Sequence, residues 1–227
     1  MLGSVVALVP AAGKGERFGG DLPKALVPLA GEPLVVHAVR ALARSRAVTQ
    51  VVVAAPAELV ADVRALVADA VVDVLVVAGG ATRVASVAAA LAAADPDAQV
   101  VLVHDAARPL APAELVDRVA GVVLDGAPAV IPVVPVIDTV KQVDAAGRVL
   151  ATIDRADLRA VQTPQGFRRD VLIAAHAQAA AHGDEATDDA GLVERLGIEV
   201  ITVPGDERAF KVTTPHDLAR AALVVGA

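Results

Sequence analysis

A glycine-rich segment near the start of the chain has the composition of a phosphate-binding loop. The sequence PAAGKGERFGGDLPK, residues 10–24, contains four glycines, one arginine and two lysines, and it follows the apolar run SVVALV. Glycines let backbone N–H groups approach phosphate oxygens closely, and a helix N-terminus nearby adds a favourable dipole. We therefore predict that the segment binds phosphate, with Arg17 and Lys24 as mobile cations on either side of a turn.

This segment matches neither of the two common phosphate-binding templates. The dinucleotide fingerprint needs glycine at the first, third and sixth positions, and counting from Gly13 the sixth position is Phe18. The other template ends in Gly-Lys-Ser/Thr, whereas Lys24 follows a proline and precedes an alanine. The mismatch disfavours a nicotinamide-dependent oxidoreductase. It leaves a loop that holds phosphate in a different way, with a solvent-exposed loop carrying incidental charges as the alternative.

A second candidate segment, VLVHDAARP, ends an apolar run on a carboxylate. Mg2+ prefers one or two protein carboxylates together with substrate phosphates and water, so Asp105 is the predicted metal ligand. An aspartate in this position also commonly caps the next turn, which is the alternative. We expect Arg108 to reach a second substrate, and we expect His104 to be a packed or hydrogen-bonding residue rather than a ligand.

The segment AGGATRVASV, residues 78–87, is the third candidate. Gly79 and Gly80 allow a base or ribose to lie close to the backbone. Arg83 and Ser86 are one helical turn apart and can share one face of a helix. We predict that this segment also contacts the nucleotide.

The elements that must position these residues follow from the hydrophobic pattern. Valine-rich runs, whose near-continuous hydrophobicity suits strands covered on both faces, occur at residues 4–9, 50–55, 71–78, 99–104, 129–134 and 198–203. Segments of helical length lie between them, at residues 33–45, 57–69, 82–94, 112–125, 170–182 and 214–225. The pattern predicts one α/β domain over residues 1–227, a three-layer α/β/α fold with a mostly parallel, Rossmann-like sheet. Ligands in such folds bind beyond the carboxyl ends of the strands.

One segment departs from this alternation. In residues 138–155, two short runs, TVKQV and RVLATI, flank DAAG, a pattern typical of a β-hairpin. We interpret residues 137–157 as an arm with charged outward residues that reaches a neighbouring subunit. A surface hairpin that carries its charges only for solubility is the alternative.

The composition excludes several classes of function. The chain has no cysteine, which excludes disulfides and thiolate chemistry, and its net charge of −7 with no Trp or Tyr argues against a nucleic-acid partner. No apolar run approaches the roughly 20 residues that span a bilayer, and the N-terminus lacks the pattern of a secretion signal. We expect a soluble cytoplasmic protein without membrane association.

The motifs in their order resemble one known family. PAAGxGxRxxxxxPK is similar to the signature loop of nucleotidyltransferases, and AGGATRVASV, VLVHDAARP, DTVK, QTPQGF, TDDA and FKVTTP follow it at the spacing of 2-C-methyl-D-erythritol 4-phosphate cytidylyltransferases. The resemblance covers residues 4–222. Ala81 stands where many members carry an aspartate, which bears on the selectivity for the base.

The resemblance implies transfer of a cytidylyl group from CTP to the polyol phosphate 2-C-methyl-D-erythritol 4-phosphate, with Mg2+, in a homodimer that exchanges its arms. The implied catalytic residues are Arg17, Lys24, Arg155 and Lys211. The implied nucleotide site comprises Pro10, Ala11, Ala12, Gly13, Gly15, Gly79, Gly80, Arg83 and Ser86. The implied site for the acceptor comprises Asp105, Ala106, Arg108, Thr139, Arg155, Thr163, Thr187 and Lys211, with Asp105 as the metal ligand. In TDDA, we expect Asp188 either to cap the following helix or to contact substrate hydroxyls.

Direct displacement suits this set of residues, because the chain has no cysteine and no serine in a recognisable nucleophile elbow. The acceptor phosphate is largely ionised at neutral pH and needs no strong general base. Two alternatives remain open from the sequence. One is a cytidylyltransferase for another polyol phosphate such as ribitol 5-phosphate, and the other is a nucleotide-binding regulatory or scaffold protein that has lost the chemistry.

Overall fold

The core of the molecule is a mixed β-sheet between two layers of helices. The computed structural model describes residues 4–13, 23–183 and 186–226. Its strands are β1 Val5–Pro10, β2 Pro28–Leu29, β3 Glu32–Pro33, β4 Val48–Ala55, β5 Asp73–Ala78, β6 Val100–Val103, β7 Ala129–Pro135, β8 Val140–Val143, β9 Val149–Ile153, β10 Arg159–Val161, β11 Gln165–Arg168 and β12 Ile201–Pro204. Its α-helices are α1 Leu34–Ala43, α2 Val60–Leu66, α3 Arg83–Ala93, α4 Ala113–Leu124, α5 Arg169–His182, α6 Asp189–Arg195 and α7 Pro215–Val225.

The strand order of the main sheet is β10-β7-β11-β6-β1-β4-β5, and β12 pairs with β7. The four strands β5, β4, β1 and β6 run parallel, and β12 is parallel to β7. The short strand β11 lies antiparallel between β6 and β7, and β10 is antiparallel to β7. The expectation of a mostly parallel sheet is confirmed. The antiparallel strands β10 and β11 were not expected from the sequence.

The two faces of the sheet explain why the strands read as continuous apolar runs. In β1, Val5, Ala7 and Val9 pack on one side, and Val6 and Leu8 pack on the other. The first side is covered by α1, α2 and α4, and the second by α3, α5 and α6. Because both faces are buried, alternation between apolar and polar residues is lost. The three-layer prediction is confirmed.

Side-chain caps fix the starts of the helices nearest the cavity described below. The Thr82 hydroxyl accepts a hydrogen bond from the Ala85 N–H at the start of α3. The Asp188 carboxylate accepts one from the Gly191 N–H at the start of α6. Such caps satisfy backbone donors that have no partner within the helix. The capping role expected for Asp188 is confirmed, and the helix that it begins, α6, is shorter than the predicted helical segments.

The predicted hairpin is present as a separate two-stranded sheet. Strands β8 and β9 pair antiparallel, and the Asp144 carboxylate accepts hydrogen bonds from the backbone of Ala146 and Arg148 in the connecting turn. The expectation that its outward residues are charged is incomplete. Val149 and Leu150 are exposed to 61% and 60%, and these apolar side chains share the hairpin surface with charged ones.

A glycine in β11 allows the sheet to approach α4 closely. A Cβ on Gly166 would lie 2.7 Å from Val119 Cγ1 and 3.1 Å from Val123 Cγ2, both on α4. Contacts this short require movement of a packed helix. The glycine of the QTPQGF motif is therefore required for packing.

We predict that Gly166→Ala lowers the free energy of unfolding by about 1–3 kcal/mol, because the added methyl group overpacks the interface between β11 and α4. Gly121→Ala on the same helix is the matched control, since no atom lies within 4 Å of its added Cβ. The control should stabilise by up to about 1 kcal/mol through helix propensity. Urea unfolding of both variants measures the difference, and equal effects would contradict the packing argument.

Candidate active site

A cavity of about 860 Å³ opens at the carboxyl ends of β1, β4, β5 and β6. Parallel strands end at one edge of a sheet, so the loops that follow them converge there. The cavity is lined by Pro10, Ala11, Ala12, Gly13, Pro23, Lys24, Ala25, Pro56, Ala57, Glu58, Gly79, Gly80, Ala81, Thr82, Arg83, Ser86, Asp105, Ala106, Ala107, Lys211 and Thr213. The three candidate segments of the sequence therefore meet at one place.

Most of the predicted site residues line this cavity. They are Pro10, Ala11, Ala12, Gly13, Lys24, Gly79, Gly80, Arg83, Ser86, Asp105, Ala106 and Lys211. Gly15 and Arg17 lie outside the described residues. Within the described chain, the structure places Arg108, Thr139, Arg155, Thr163 and Thr187 away from the cavity lining.

The turn after β5 lies against the turn after β1. A Cβ on Gly79 would lie 2.6 Å from the Ala12 Cβ, and a Cβ on Gly80 would lie 2.4 Å from the Ala85 Cβ. Both positions therefore require glycine because of close approach. The Ser86 hydroxyl donates to the Thr82 carbonyl at 2.9 Å and accepts from the Gly80 N–H at 3.2 Å. Ser86 thus fixes the shape of the turn from the first part of α3.

Asp105 is the centre of charge in the cavity. Lys211 Nζ donates to its Oδ2 at 2.8 Å, and Arg83 Nε lies 3.5 Å from its Oδ1. Burial favours the neutral acid, but the positive charges of Arg83 and Lys211 outweigh it and hold the pKa of Asp105 below its ordinary value. Asp105 is therefore an anion throughout the working pH range.

The segment around Lys211 is fixed to the loop that carries Asp105. The Val212 N–H donates to the Ala107 carbonyl at 2.8 Å, and the Val212 side chain is fully buried beside Leu29. This contact brings residues that are 106 positions apart into an ion pair. Val212, the apolar residue that follows Lys211 in the FKVTTP motif, thus positions this lysine.

Arg83 extends from the cavity wall to a second carboxylate, Asp189, which lies in the TDDA motif but had no predicted role. Its Nη1 donates to Asp189 Oδ2 at 2.7 Å, and Asp189 Oδ1 lies 2.9 Å from His176 Nε2. Asp189 is fully buried. No sequence pattern indicated this series of contacts, because its members come from α3, α5 and α6 and meet only in the folded protein.

A buried hydrogen-bond relay holds the backbone of Asp105. His104 Nε2 lies 3.1 Å from the Arg108 carbonyl, which can only accept, so Nε2 carries the proton. Burial lowers the pKa of His104 to about 4, so the ring is neutral and its Nδ1 accepts from the Thr163 hydroxyl at 3.0 Å. The Thr163 oxygen in turn accepts from the Asp105 N–H at 3.1 Å. The expectation that His104 is packed and hydrogen-bonded is confirmed.

Two predicted acceptor residues have structural contacts of their own. Thr163 is only 4% exposed and its hydroxyl is used in the relay. The Arg108 guanidinium donates to the carbonyls of Ala209 at 2.7 Å and Val161 at 3.1 Å. These bonds connect the loop after β6 to β10 and to the segment that precedes Lys211. In the described fold, both side chains hydrogen-bond to backbone groups near the cavity and do not line it.

The remaining predicted residues lie on exposed segments. Thr139 and Arg155 flank the hairpin strands, and the Arg155 guanidinium donates to the Ile137 carbonyl. Thr187 is exposed just before α6, whose cap is Asp188. None of these three touches the cavity within one described chain.

The donor set of the cavity fits a metal ion that is held largely by its substrate. Among the described residues there is no cluster of three or more His, Asp or Glu side chains that could hold a metal ion. Mg2+ needs only one or two carboxylates when phosphate and water oxygens complete its shell. The ionised Asp105 at the cavity wall supplies one such carboxylate.

The fold and the cavity together indicate a nucleotide-binding α/β protein, because glycine turns and the cations Lys24, Arg83 and Lys211 meet at the carboxyl ends of parallel strands. Comparison with known proteins narrows the class. The family model described as IspD, 2-C-methyl-D-erythritol 4-phosphate cytidylyltransferase, matches residues 5–227. The chain belongs to this family.

Individual relatives agree over nearly the whole chain. A protein of Frankia casuarinae named 2-C-methyl-D-erythritol 4-phosphate cytidylyltransferase is 63% identical over 217 residues, which are 96% of this chain and 79% of that protein. A protein of Saccharopolyspora erythraea with the same name is 59% identical over 225 residues, covering 98% of this chain and 99% of that protein. The crystal structure of the enzyme of this name from Thermus thermophilus is similar with a TM-score of 0.79, at 38% identity and full coverage of both chains.

No helix in the described parts of the chain has the length and apolar character needed to cross a membrane.

We predict that the free energy of unfolding falls by about 1–3 kcal/mol as the pH is lowered from about 6.5 to about 4. The unfolded chain protonates this histidine at its ordinary pKa of 6.5, whereas the folded chain keeps His104 neutral down to a pKa of about 4. His104→Gln should show a shallower decrease over the same window. Urea unfolding at several pH values measures both slopes, and identical slopes would contradict the assignment.

Proposed function

We propose that this chain transfers a cytidylyl group from CTP to 2-C-methyl-D-erythritol 4-phosphate and releases pyrophosphate, a step of isoprenoid biosynthesis. The proposal rests on one observation: Lys24, Lys211 and Asp105 line the same cavity as the two glycine-containing turns. The chain also belongs to the family of this activity. Cations opposite one carboxylate suit a reaction between two phosphate-bearing substrates.

The nucleotide lies against the turns that follow β1 and β5 in this proposal. The side-chain position of Gly13 is open, whereas Gly79 and Gly80 let the turn after β5 pack closely against Ala12 and Ala85, so that backbone groups of both turns line the cavity. Ala81, at the cavity wall, stands where many family members carry an aspartate. Selectivity for cytosine would then rest on backbone groups of this turn.

The reaction is an in-line displacement. An oxygen of the acceptor phosphate forms a bond to the α-phosphorus of CTP while the bond from that phosphorus to the bridging oxygen breaks, and pyrophosphate leaves with the electron pair. Lys24, at the start of a short helical turn, stabilises the charge that develops on the phosphate oxygens. Arg17 is proposed to act with Lys24. Positioning and charge neutralisation supply most of the rate in such reactions.

Lys211 is suited to bind the incoming phosphate. Its side chain is 41% exposed, and its contact with Asp105 is a single hydrogen bond from the ammonium group. A phosphate in the cavity offers more negative charge than a carboxylate, so the ammonium group can turn to it. Asp105 would then hold Mg2+ together with triphosphate oxygens. When bound, the ion neutralises part of the triphosphate charge.

No side chain needs to act as a general base. The acceptor phosphate has a second pKa near 6 and is mostly ionised at neutral pH. His104, the histidine nearest to Asp105 in sequence, is buried and both of its nitrogens have partners. The described residues therefore favour a mechanism in which the ionised acceptor phosphate attacks directly, without a protein side chain that first removes a proton.

The hairpin is proposed to dock onto a second copy of the chain. Ile137, Val149 and Leu150 expose 79%, 61% and 60% of their surface, which is unfavourable for a monomer in water. Arg155 and Thr139, the acceptor residues implied by the family, lie beside this hairpin and away from the cavity of their own chain. A two-fold dimer that exchanges hairpins would bring them to the partner's cavity.

We predict that Lys24→Ala lowers kcat/KM for CTP at least tenfold, or about 1.4 kcal/mol of barrier, because a cation at the reacting phosphate is lost. Arg46→Ala is the matched control. Arg46 is an exposed cation just before β4, at the opposite edge of the sheet from the cavity, and its loss should leave turnover unchanged. Pyrophosphate release with CTP, Mg2+ and acceptor measures both. A loss of less than tenfold in Lys24→Ala would contradict its role.

Product identification tests the reaction as a whole. CTP with 2-C-methyl-D-erythritol 4-phosphate should yield the cytidine diphosphate conjugate and pyrophosphate in equal amounts. Ribitol 5-phosphate and other polyol phosphates serve as competing acceptors. Pyrophosphate release without the conjugate would overturn the proposal, and faster turnover of another polyol phosphate would reassign the acceptor.

Mixed dimers test the exchange of hairpins. Arg155→Ala and Lys24→Ala chains should each be poorly active alone, because every site lacks one group. After unfolding and refolding together, about half of the dimers contain one chain of each kind, and one of their two sites is intact, so about a quarter of the activity should return. Hairpins that stay with their own chain would restore none.

A further inference from the structure

A chain of ion pairs leads from the cavity wall into the helices behind it. Arg83 contributes to the cavity lining, and its side chain is 24% exposed. Its stronger contact points away from the cavity, to Asp189 Oδ2 at 2.7 Å, whereas Asp105 Oδ1 is 3.5 Å from its Nε. The guanidinium therefore lies between a carboxylate that faces the substrate and a carboxylate that does not.

Asp189 is held in place from several sides. Its Oδ1 lies 2.9 Å from His176 Nε2, and it occupies the first turn of α6, where the helix dipole favours an anion. The residue before it caps the helix, and Gln165 contacts this turn through the Asp188 carboxylate and the Ala190 N–H. Asp189 is thus a fixed anchor, fully removed from solvent.

The contact with Asp189 determines where the guanidinium group of Arg83 lies. A guanidinium beside two carboxylates divides its donors between them, and the fixed partner at the shorter distance sets its position. If the charge of Asp189 were removed, Asp105 would be the remaining acidic partner that the structure gives Arg83. Arg83 would then be drawn fully onto Asp105, which faces the cavity.

This placement matters because Asp105 has two cationic partners of different mobility. Lys211 is 41% exposed and can leave for a phosphate, whereas Arg83 is mostly buried and tethered. When Lys211 turns away, Arg83 is the remaining cation paired with Asp105, and Arg108 adds a positive charge that is not paired with it. The distance between Arg83 and Asp105 therefore controls how much negative charge the cavity retains.

We propose that Asp189, fixed by His176, is a positioning residue for the transfer reaction. It restrains Arg83 at the cavity wall so that the Asp105 carboxylate stays available to the substrates. The inference rests on the proposed function, because it assigns a role within that reaction.

A double-mutant cycle tests this role. Asp189→Asn keeps the size of the side chain and removes its charge, and it should lower kcat/KM for CTP about tenfold. In a chain that already carries Arg83→Gln, the same change should cost less than about twofold, because Asp189 acts through Arg83. A residue that merely stabilises α6 would cost the same factor in both backgrounds.

Asp188→Ala is the matched control for damage to the helix. It removes the cap at the start of α6 without touching Arg83. Its effect on kcat/KM should be the same with and without Arg83→Gln. His176→Gln is the second variant, since it loosens Asp189 without removing either charge, and it should give a smaller loss that also vanishes in the Arg83→Gln chain. Thermal unfolding confirms that each variant is folded.

The outcomes separate the two proposals. The unsubstituted chain is assayed first, and failure to form the cytidine diphosphate conjugate would overturn the proposed function. The cycle is also measured on the Kd for CTP, so the coupling of Asp189 to Arg83 is determined even then. Equal losses in both backgrounds, or no loss in the Asp189→Asn chain by either measure, would overturn the role of Asp189.

Discussion

The structure depends on one partly buried negative charge. Asp105 exposes only 13% of its side chain, and an unpaired carboxylate in such a place would take up a proton. Arg83 and Lys211 keep it ionised, and each of these cations is positioned by separate packing, one through Asp189 and one through buried Val212. The cavity thus has a fixed anion surrounded by cations, which is the arrangement that two phosphate-bearing substrates require.

The backbone beneath this charge is fixed by uncharged groups. His104 and Thr163 are both buried and form a relay that ends on the Asp105 N–H. Because the ring is neutral, the relay adds no second charge to the interior. Thr163 belongs to the segment that continues into β11, so the antiparallel strand ties the carboxylate to the middle of the sheet. Thr163, which the motif suggests as a substrate-binding residue, therefore fixes the backbone of Asp105 in this structure.

Much of the fold could be predicted from the sequence, and the site only in part. Valine-rich runs located the long strands because burial on both faces leaves a strong apolar signal. β11 and α6 were not among the predicted runs because they are short: β11 contains the glycine Gly166, and α6 is indicated only by its Asp188 cap. Motifs indicated Lys24, Asp105 and Lys211, which do line the cavity. His176 lies outside the motifs, and Asp189, although it lies in the TDDA motif, had no predicted role, because the contacts of both residues join separate helices.

The two longest-range ion pairs of the site have a consequence for biosynthesis of the chain. Arg83 with Asp189 and Asp105 with Lys211 each join residues 106 positions apart. During translation, the glycine turns and Asp105 leave the ribosome well before either distant partner exists. Until residue 211 has been added, Asp105 lacks the lysine that pairs with it in the folded chain. The order of synthesis therefore places both ion pairs late in folding, after the segments that carry Arg83 and Asp105 have been made.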